Sequence, residues 1–146
     1  MEGVLNKRAY IDVYDEIFMK TRKYIKDNSL YNPRVLKSSP QTTNSFPLVI
    51  ITETENSLIS SSETLKYGEG KYNLTYEIEI YAKDIDETSK KEILDELKVL
   101  VNDIFDNYYK FTRRTCKTAP NADIDIGKIF MRYTAVIDEN KKIYRR

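Results

Sequence analysis

Few residues in this sequence are able to do nucleophilic or acid–base chemistry, and they form no catalytic pattern. The chain contains no histidine and one cysteine, Cys116. A lone thiol has no imidazole to take its proton, so we interpret Cys116 as a partly buried apolar residue on a strand. Only carboxylates, lysines and tyrosines remain for proton transfer. The sequence therefore favours a protein that is not an enzyme.

Three further groups of residues resemble ligand sites without meeting the requirements of one. The carboxylates of the second predicted helix have the outward spacing of a solvated face. They are Asp95, Glu96, Asp103 and Asp106. Asp123 and Asp125 are two carboxylates in a turn, without the further oxygen ligands that calcium requires. The GEG sequence at residues 68–70 lacks the patterns of phosphate-binding loops and is typical of a turn. We therefore expect no metal and no cofactor.

Length and composition are typical of one globular domain, spanning residues 1–146. Of the 146 residues, 40% are hydrophobic and 32% are charged, which suits a single folded core. No apolar run approaches the roughly 18 residues of a membrane-spanning helix, and the N-terminus lacks the apolar segment of a signal peptide. We therefore expect a soluble, cytoplasmic protein with no membrane partner.

Charge is unevenly distributed along the chain, although the net charge is only +1. Counting Lys and Arg against Asp and Glu gives +3 for residues 1–45, −8 for 46–109 and +6 for 110–146. An acidic middle with basic ends is consistent with complementary surfaces for self-association, or with a basic patch for nucleic acid. It is equally consistent with charges that interleave on one mixed surface once the chain folds.

Residues 72–82, YNLTYEIEIYA, contain the clearest periodic pattern in the sequence. Alternate residues are apolar, namely Tyr72, Leu74, Tyr76, Ile78, Ile80 and Ala82. The residues between them, which include Glu77 and Glu79, belong to the opposite side of a strand. A strand with one buried face is typical of an antiparallel sheet. We therefore predict an α+β fold, a mostly antiparallel sheet with two long helices packed on one face.

Two amphipathic helices are predicted, one before the sheet and one within its sequence. Residues 5–27 repeat apolar side chains at three- and four-residue steps. The second helix follows an N-cap at Asp86 or Thr88 and has an apolar stripe from Ile93 to Tyr108. A stripe of that length must cover the sheet.

Further strands and turns are predicted on both sides of the central strand. A long irregular connection over residues 30–45 leads to an interior strand at 46–53, with Pro47 at its start. A turn at 56–57 precedes a strand at 58–67, which forms a hairpin with the central strand. The C-terminal part predicts a basic strand at 111–118, a turn at 120–121, a long strand at 128–138 and a short basic edge strand or tail at 142–146.

Three stretches carry a resemblance to a known family. They are the Pro-led strand FPLVIITETE, the strand-to-helix segment YEIEIYAKDIDETSKKEILDELKVLVNDIF, and the C-terminal run FTRRTCKTAPNADIDIGKIFMRYTAVIDENKKIYRR. In this order, after an amphipathic N-terminal helix, the chain resembles the tail terminator, or tail completion, proteins of long-tailed bacteriophages and related contractile particles. The resemblance implies a virion structural protein, made in the host cytoplasm and located in the tail or neck.

The role that the resemblance implies is mechanical. Copies form a ring, commonly a hexamer, on the last ring of the tail tube, stop its polymerisation and join the tail to the head, neck or collar. Partners would be further copies of the chain, tube and sheath proteins, and a neck or head-completion protein, while DNA only passes through the lumen. Two alternatives remain open, a head-completion or neck connector protein and a nucleic-acid-binding module that uses Arg113, Arg114, Lys117 and Arg132.

The charge distribution indicates which residues would join neighbouring subunits. We expect the basic C-terminal region to contact the acidic middle of an adjacent subunit or tail layer, because each of these two segments has a net charge that its own residues do not balance. The candidate interface residues are Glu77, Glu79, Arg113, Arg114, Arg132, Arg145 and Arg146.

Overall fold

A computed structural model describes residues 10–40, 45–59, 70–119 and 123–146. Over these ranges the chain is an α+β protein with two helices and a six-stranded sheet. In chain order the elements are α1 (Tyr14–Asn28), β1 (Arg34–Leu36), β2 (Leu48–Leu58), β3 (Lys71–Ala82), α2 (Lys90–Asn102) with a π-helical continuation (Asp103–Tyr108), β4 (Thr112–Thr118), β5 (Gly127–Asp138) and β6 (Ile143–Arg145). No helix among the described residues has the length and apolar character needed to span a membrane.

The sheet is mixed, which corrects the prediction of a mostly antiparallel one. Its strand order is β1-β2-β3-β5-β4, and β6 pairs with β5. The pairing of β1 with β2 is parallel, whereas the other four strand pairs are antiparallel. Strand β1 lies inside the connection that was predicted to be irregular. It was not predicted because three residues are too few to show an alternating pattern.

Strand β3 lies at the centre of the sheet, as its alternation predicts. All twelve of its residues pair with β5, and Ile78 lies opposite both Ile51 on β2 and Met131 on β5. The predicted inward face is buried from Tyr72 to Ala82. The alternate residues of β5 from Ile129 to Ile137 are also buried. Both strands therefore contribute one side to a common core.

The two helices pack against this inward face of the sheet. Ile17 and Ile25 of α1 belong to the same buried cluster as Ile93 and Leu97 of α2 and the inward residues of the strands. Aromatic rings fill the centre of the cluster. The ring of Phe105 stacks on that of Tyr133, with 5.1 Å between the centroids. Such burial is the main favourable contribution to folding.

Helix α2 differs from its prediction at both ends. It begins after Ser89, whose hydroxyl accepts a hydrogen bond from the Glu92 amide, and not after Asp86 or Thr88. At the other end the backbone becomes π-helical, and the amide of Tyr109 donates to the Ile104 carbonyl at 2.9 Å. The wider π turns change which side chains face the core. Tyr108, the last residue of the predicted stripe, is consequently 56% exposed.

The other boundaries shift for local reasons. The first helix was predicted over residues 5–27, but α1 begins at Tyr14 and residues 10–13 are not helical. Residues 5–9 lie outside the described ranges. The predicted turn at 56–57 is part of β2, which continues through a bulge between Glu53 and Glu55. Strand β2 is thus the hairpin partner of β3. Four predicted stretches lie wholly or partly outside the described residues. They are most of the strand at 58–67, the 68–69 part of its turn, the turn at 120–121 and part of the 30–45 connection.

Buried tyrosines predict that the fold loses stability in alkali. Burial, followed by the charge of Glu53, raises the pKa of Tyr14 from 10.0 to about 12. Burial also raises the pKa of Tyr76, Tyr109 and Tyr133. The folded state therefore holds these phenol protons more tightly than the unfolded state does, so their contribution is complete below pH 10. As the pH rises above 10 the contribution begins to be lost, and that of Tyr14 is lost as the pH reaches about 12.

Urea unfolding at a series of pH values between 8 and 12 measures this effect. The free energy of unfolding should fall steeply above about pH 10, and Tyr14→Phe should make the fall less steep. A free energy that stays constant from pH 10 to pH 12 contradicts the assignment of these protons.

Candidate subunit interface

The outward face of the sheet carries ion pairs between β3 and β5. Glu77 lies opposite Arg132, with 3.1 Å from its Oε2 to the Arg132 Nη2. Glu79 Oε2 is 3.0 Å from the Nζ of Lys128. Burial opposes the charge of Lys128, but hydrogen bonds to Glu79 and Tyr81 raise its pKa overall. Glu77 and Glu79, both candidate interface residues, are therefore already paired with cations of the same chain.

Arg145 and Arg146 hold the last residues of the chain against the rest of the domain. Arg145 Nη1 is 2.8 Å from Asp106 Oδ1, and it also donates to the carbonyl of Phe111 at 2.7 Å. Arg146 Nη2 lies 3.0 Å from Glu55 Oε1. These acidic partners belong to the same chain, so the two arginines stabilise the position of β6.

A transverse polar row crosses the outward face beneath Arg146. Glu55, Thr75 and Thr134 are neighbours on β2, β3 and β5. Arg146 Nη2 donates to the Thr75 hydroxyl at 2.9 Å. The Thr75 hydroxyl donates a hydrogen bond to Glu55 and lowers the pKa of that carboxyl. Burial acts in the opposite direction, and Arg146 contributes to the lowering. This part of the outward face is thus occupied by contacts within the chain.

Of the seven predicted interface residues, Arg113 differs from the others. Arg114 donates from Nε to the Thr134 hydroxyl at 2.9 Å and from Nη2 to the main-chain oxygen of Arg146. A bulge between Arg113 and Thr115 lets the side chains of Arg113 and Arg114 point in different directions. Arg113 is exposed, and no ion pair or hydrogen bond joins its side chain to another described residue. It is the predicted residue that remains free to contact a neighbour.

Strand β4 forms an outer margin of the sheet and is strongly basic. We define the basic edge as Lys110, Arg113, Arg114 and Lys117. There is no acidic residue between positions 107 and 119, and none of the four cations forms an ion pair with a described Asp or Glu side chain. Within the described sheet, β4 pairs only with β5. Lys110 and Lys117 were absent from the predicted interface, although the run of like charges in the sequence signals both.

A groove of about 620 Å³ lies between α1 and the π-helical continuation of α2. Its walls carry both charge signs, and their polar groups largely satisfy one another. The Nζ of Lys20 donates to the Tyr108 hydroxyl at 2.6 Å, and the hydroxyl of Tyr24 lies 3.4 Å from Asp103 Oδ2. No group of three or more potential metal ligands occurs among the described residues. The groove contains no recognisable nucleophile–base pair.

The chain was compared with known proteins at the level of families and of individual sequences. No protein-family model matches it, and no curated protein matches it.

Proposed function

We propose that this chain is a structural virion protein that forms a ring, commonly a hexamer, at the end of a phage-type tail tube. The ring stops polymerisation of the tube and joins the tail to the head, neck or collar, and the protein is not an enzyme. In this proposal the domain is of the tail-terminator type, with an antiparallel core and both helices on one face. The tail is of the contractile kind that the resemblance includes, so sheath protein is a further neighbour.

The basic edge is the observation that carries the proposal. Four cations lie on or next to this edge strand, and none of them forms an ion pair with a described carboxylate of the same chain. A strand margin is also a ready site for contact with another chain. Repeated contacts of this kind between copies close into a ring when the rotation between neighbours permits it. The resemblance of the three sequence stretches to the tail terminator family is the second support.

A terminating ring needs different surfaces for its neighbours around and along the tail. The basic edge supplies one lateral surface. The helical layer, with its groove beside Tyr108 and Lys20, is left for a protein above or below the ring. Charge pairs at the rim of such contacts affect register and association rate more than affinity. The ring should consequently loosen as salt concentration rises.

Tail length tests the proposal. Particles made without the chain should carry tails longer than normal, because nothing stops addition of tube subunits, and supplying the wild-type chain should restore normal length. Lys91→Ala is a suitable control variant, since Lys91 is exposed on α2 and should also restore normal length. Tails of normal length in the absence of the chain contradict the proposal.

The basic edge also favours one second candidate, a nucleic-acid-binding module. Lys117 and Arg132 lie 6.0 and 5.9 Å from the centroid of the Phe130 ring, a combination of cation and aromatic ring that single strands bind. However, Glu77 and Glu79 lie on the neighbouring strand and would repel phosphates. Binding of duplex and single-stranded DNA across a range of salt concentrations distinguishes this candidate, because phosphate contacts weaken steeply with salt.

A further inference from the structure

The turn between β3 and α2 presents two exposed carboxylates, those of Asp86 and Glu87. Ile85 and Thr88 exchange two backbone hydrogen bonds, of 2.9 and 2.8 Å, which close the turn. Asp86 and Glu87 lie at its tip, and both are exposed. Neither forms an ion pair with a described Lys or Arg side chain. We define residues 85–88 as the acidic turn.

The acidic turn and the basic edge lie on different parts of the sheet. The turn directly follows β3, whereas the basic edge lies on β4 and just before it, and β5 separates the two strands. No ion pair between described residues connects the turn with the edge. The carboxylates of the turn and the cations of the edge therefore do not neutralise each other among the described residues. In a head-to-tail contact such surfaces meet between copies.

Other carboxylates are less suitable as partners of the basic edge. Glu77 and Glu79 are already paired with Arg132 and Lys128. Asp123 and Asp125 lie in the connection from β4 to β5, beside the basic edge of their own chain. Because they follow the basic edge along the chain, they do not provide a complementary surface elsewhere.

We propose that the basic edge of one copy binds the acidic turn of the next copy, through Arg113 and Lys117 on one side and Asp86 and Glu87 on the other. This inference rests on the proposed ring and names its lateral contact. The partner is a second copy because the same chain carries both charges. Each exposed pair contributes little, but every subunit repeats the pairs, so reversing them changes assembly of the whole ring.

Two charge-reversal variants test the contact. The edge variant carries Arg113→Glu and Lys117→Glu, and the turn variant carries Asp86→Lys and Glu87→Lys. Alone, each places like charges at every contact, and its apparent dissociation constant for self-association at low salt should rise by about tenfold to a hundredfold. Mixed in equal amounts, the variants alternate around the ring and present opposite charges at every contact. The mixture should therefore assemble as the wild type does in analytical ultracentrifugation.

A control variant carrying Lys23→Glu and Lys91→Glu has the same change in net charge as the edge variant. Both lysines are exposed, with 78% and 83% of their side-chain surface accessible. This variant should assemble like the wild type, and circular dichroism should show all variants folded. A mixture that remains dissociated where the wild type assembles overturns the contact and leaves the ring proposal standing. An edge variant that assembles normally but loses DNA binding also overturns it. A wild-type chain that does not self-associate contradicts the ring itself.

Discussion

Replacing Leu97 or Ile78 with alanine should lower the free energy of unfolding by about 2–5 kcal/mol each. Leu97 lies on α2 and Ile78 on β3, and neither side chain has any solvent-accessible surface. The cost combines lost burial of apolar atoms with the cavity that the smaller side chain leaves. Because the two residues belong to one buried cluster, both substitutions should weaken the same cooperative transition.

Chemical denaturation of the two variants measures this loss. Lys91→Ala provides the surface control and should change the free energy of unfolding by no more than about 0.5 kcal/mol. Losses below 1 kcal/mol for both core variants would mean that α2 does not pack on β3 as described.

Reversing Arg113 and Lys117 to glutamate should prevent tail termination and give over-long tails. The variant places acidic residues on the basic edge, where the proposed lateral contact supplies carboxylates from the next copy. Arg114 is left unchanged because its bonds to Thr134 and Arg146 hold the chain's own β6. Its reversal would confuse loss of assembly with loss of stability.

Electron microscopy of particles made with this variant provides the measurement. Adding Asp86→Lys and Glu87→Lys to the same chain should partly restore normal length, since it exchanges the charges on both sides of the contact. The control variant Lys91→Ala should give normal tails, because Lys91 is exposed and lies outside both charged surfaces. Tails of normal length from the edge variant would refute the charge argument, although a ring held by other contacts would survive.

The sequence predicts best those elements in which burial imposes a period. Strand β3 has the inward face that its alternation predicts, and the long strand predicted at 128–138 is β5. The apolar stripe of α2 likewise predicts a helix that covers the sheet. Strand β1 has three residues and no visible period, so only its parallel pairing with β2 identifies it. The π-helical end of α2 is equally hidden, because its apolar spacing resembles that of an α-helix.

The candidate interface could be predicted only in part, for a reason of geometry. Segment totals of −8 and +6 describe charge along the chain, whereas neutralisation depends on distances after folding. Glu77 and Arg132 are 55 positions apart in sequence and become neighbours through the β3–β5 register. Arg113 remains exposed because β4 is a margin of the sheet. The sequence contains the charges, but strand order decides which of them are available to a partner.

Negative-stain microscopy of the purified chain at low salt, combined with sedimentation, tests the ring most directly. We expect class averages of a closed ring of one size with a central opening, in equilibrium with smaller species that increase as salt is added. A weak lateral contact has a dissociation constant in the micromolar range, so the protein concentration should be raised to about a hundredfold above that value. A chain that remains monomeric at low salt over this whole range would contradict the ring and the tail-terminating function built on it.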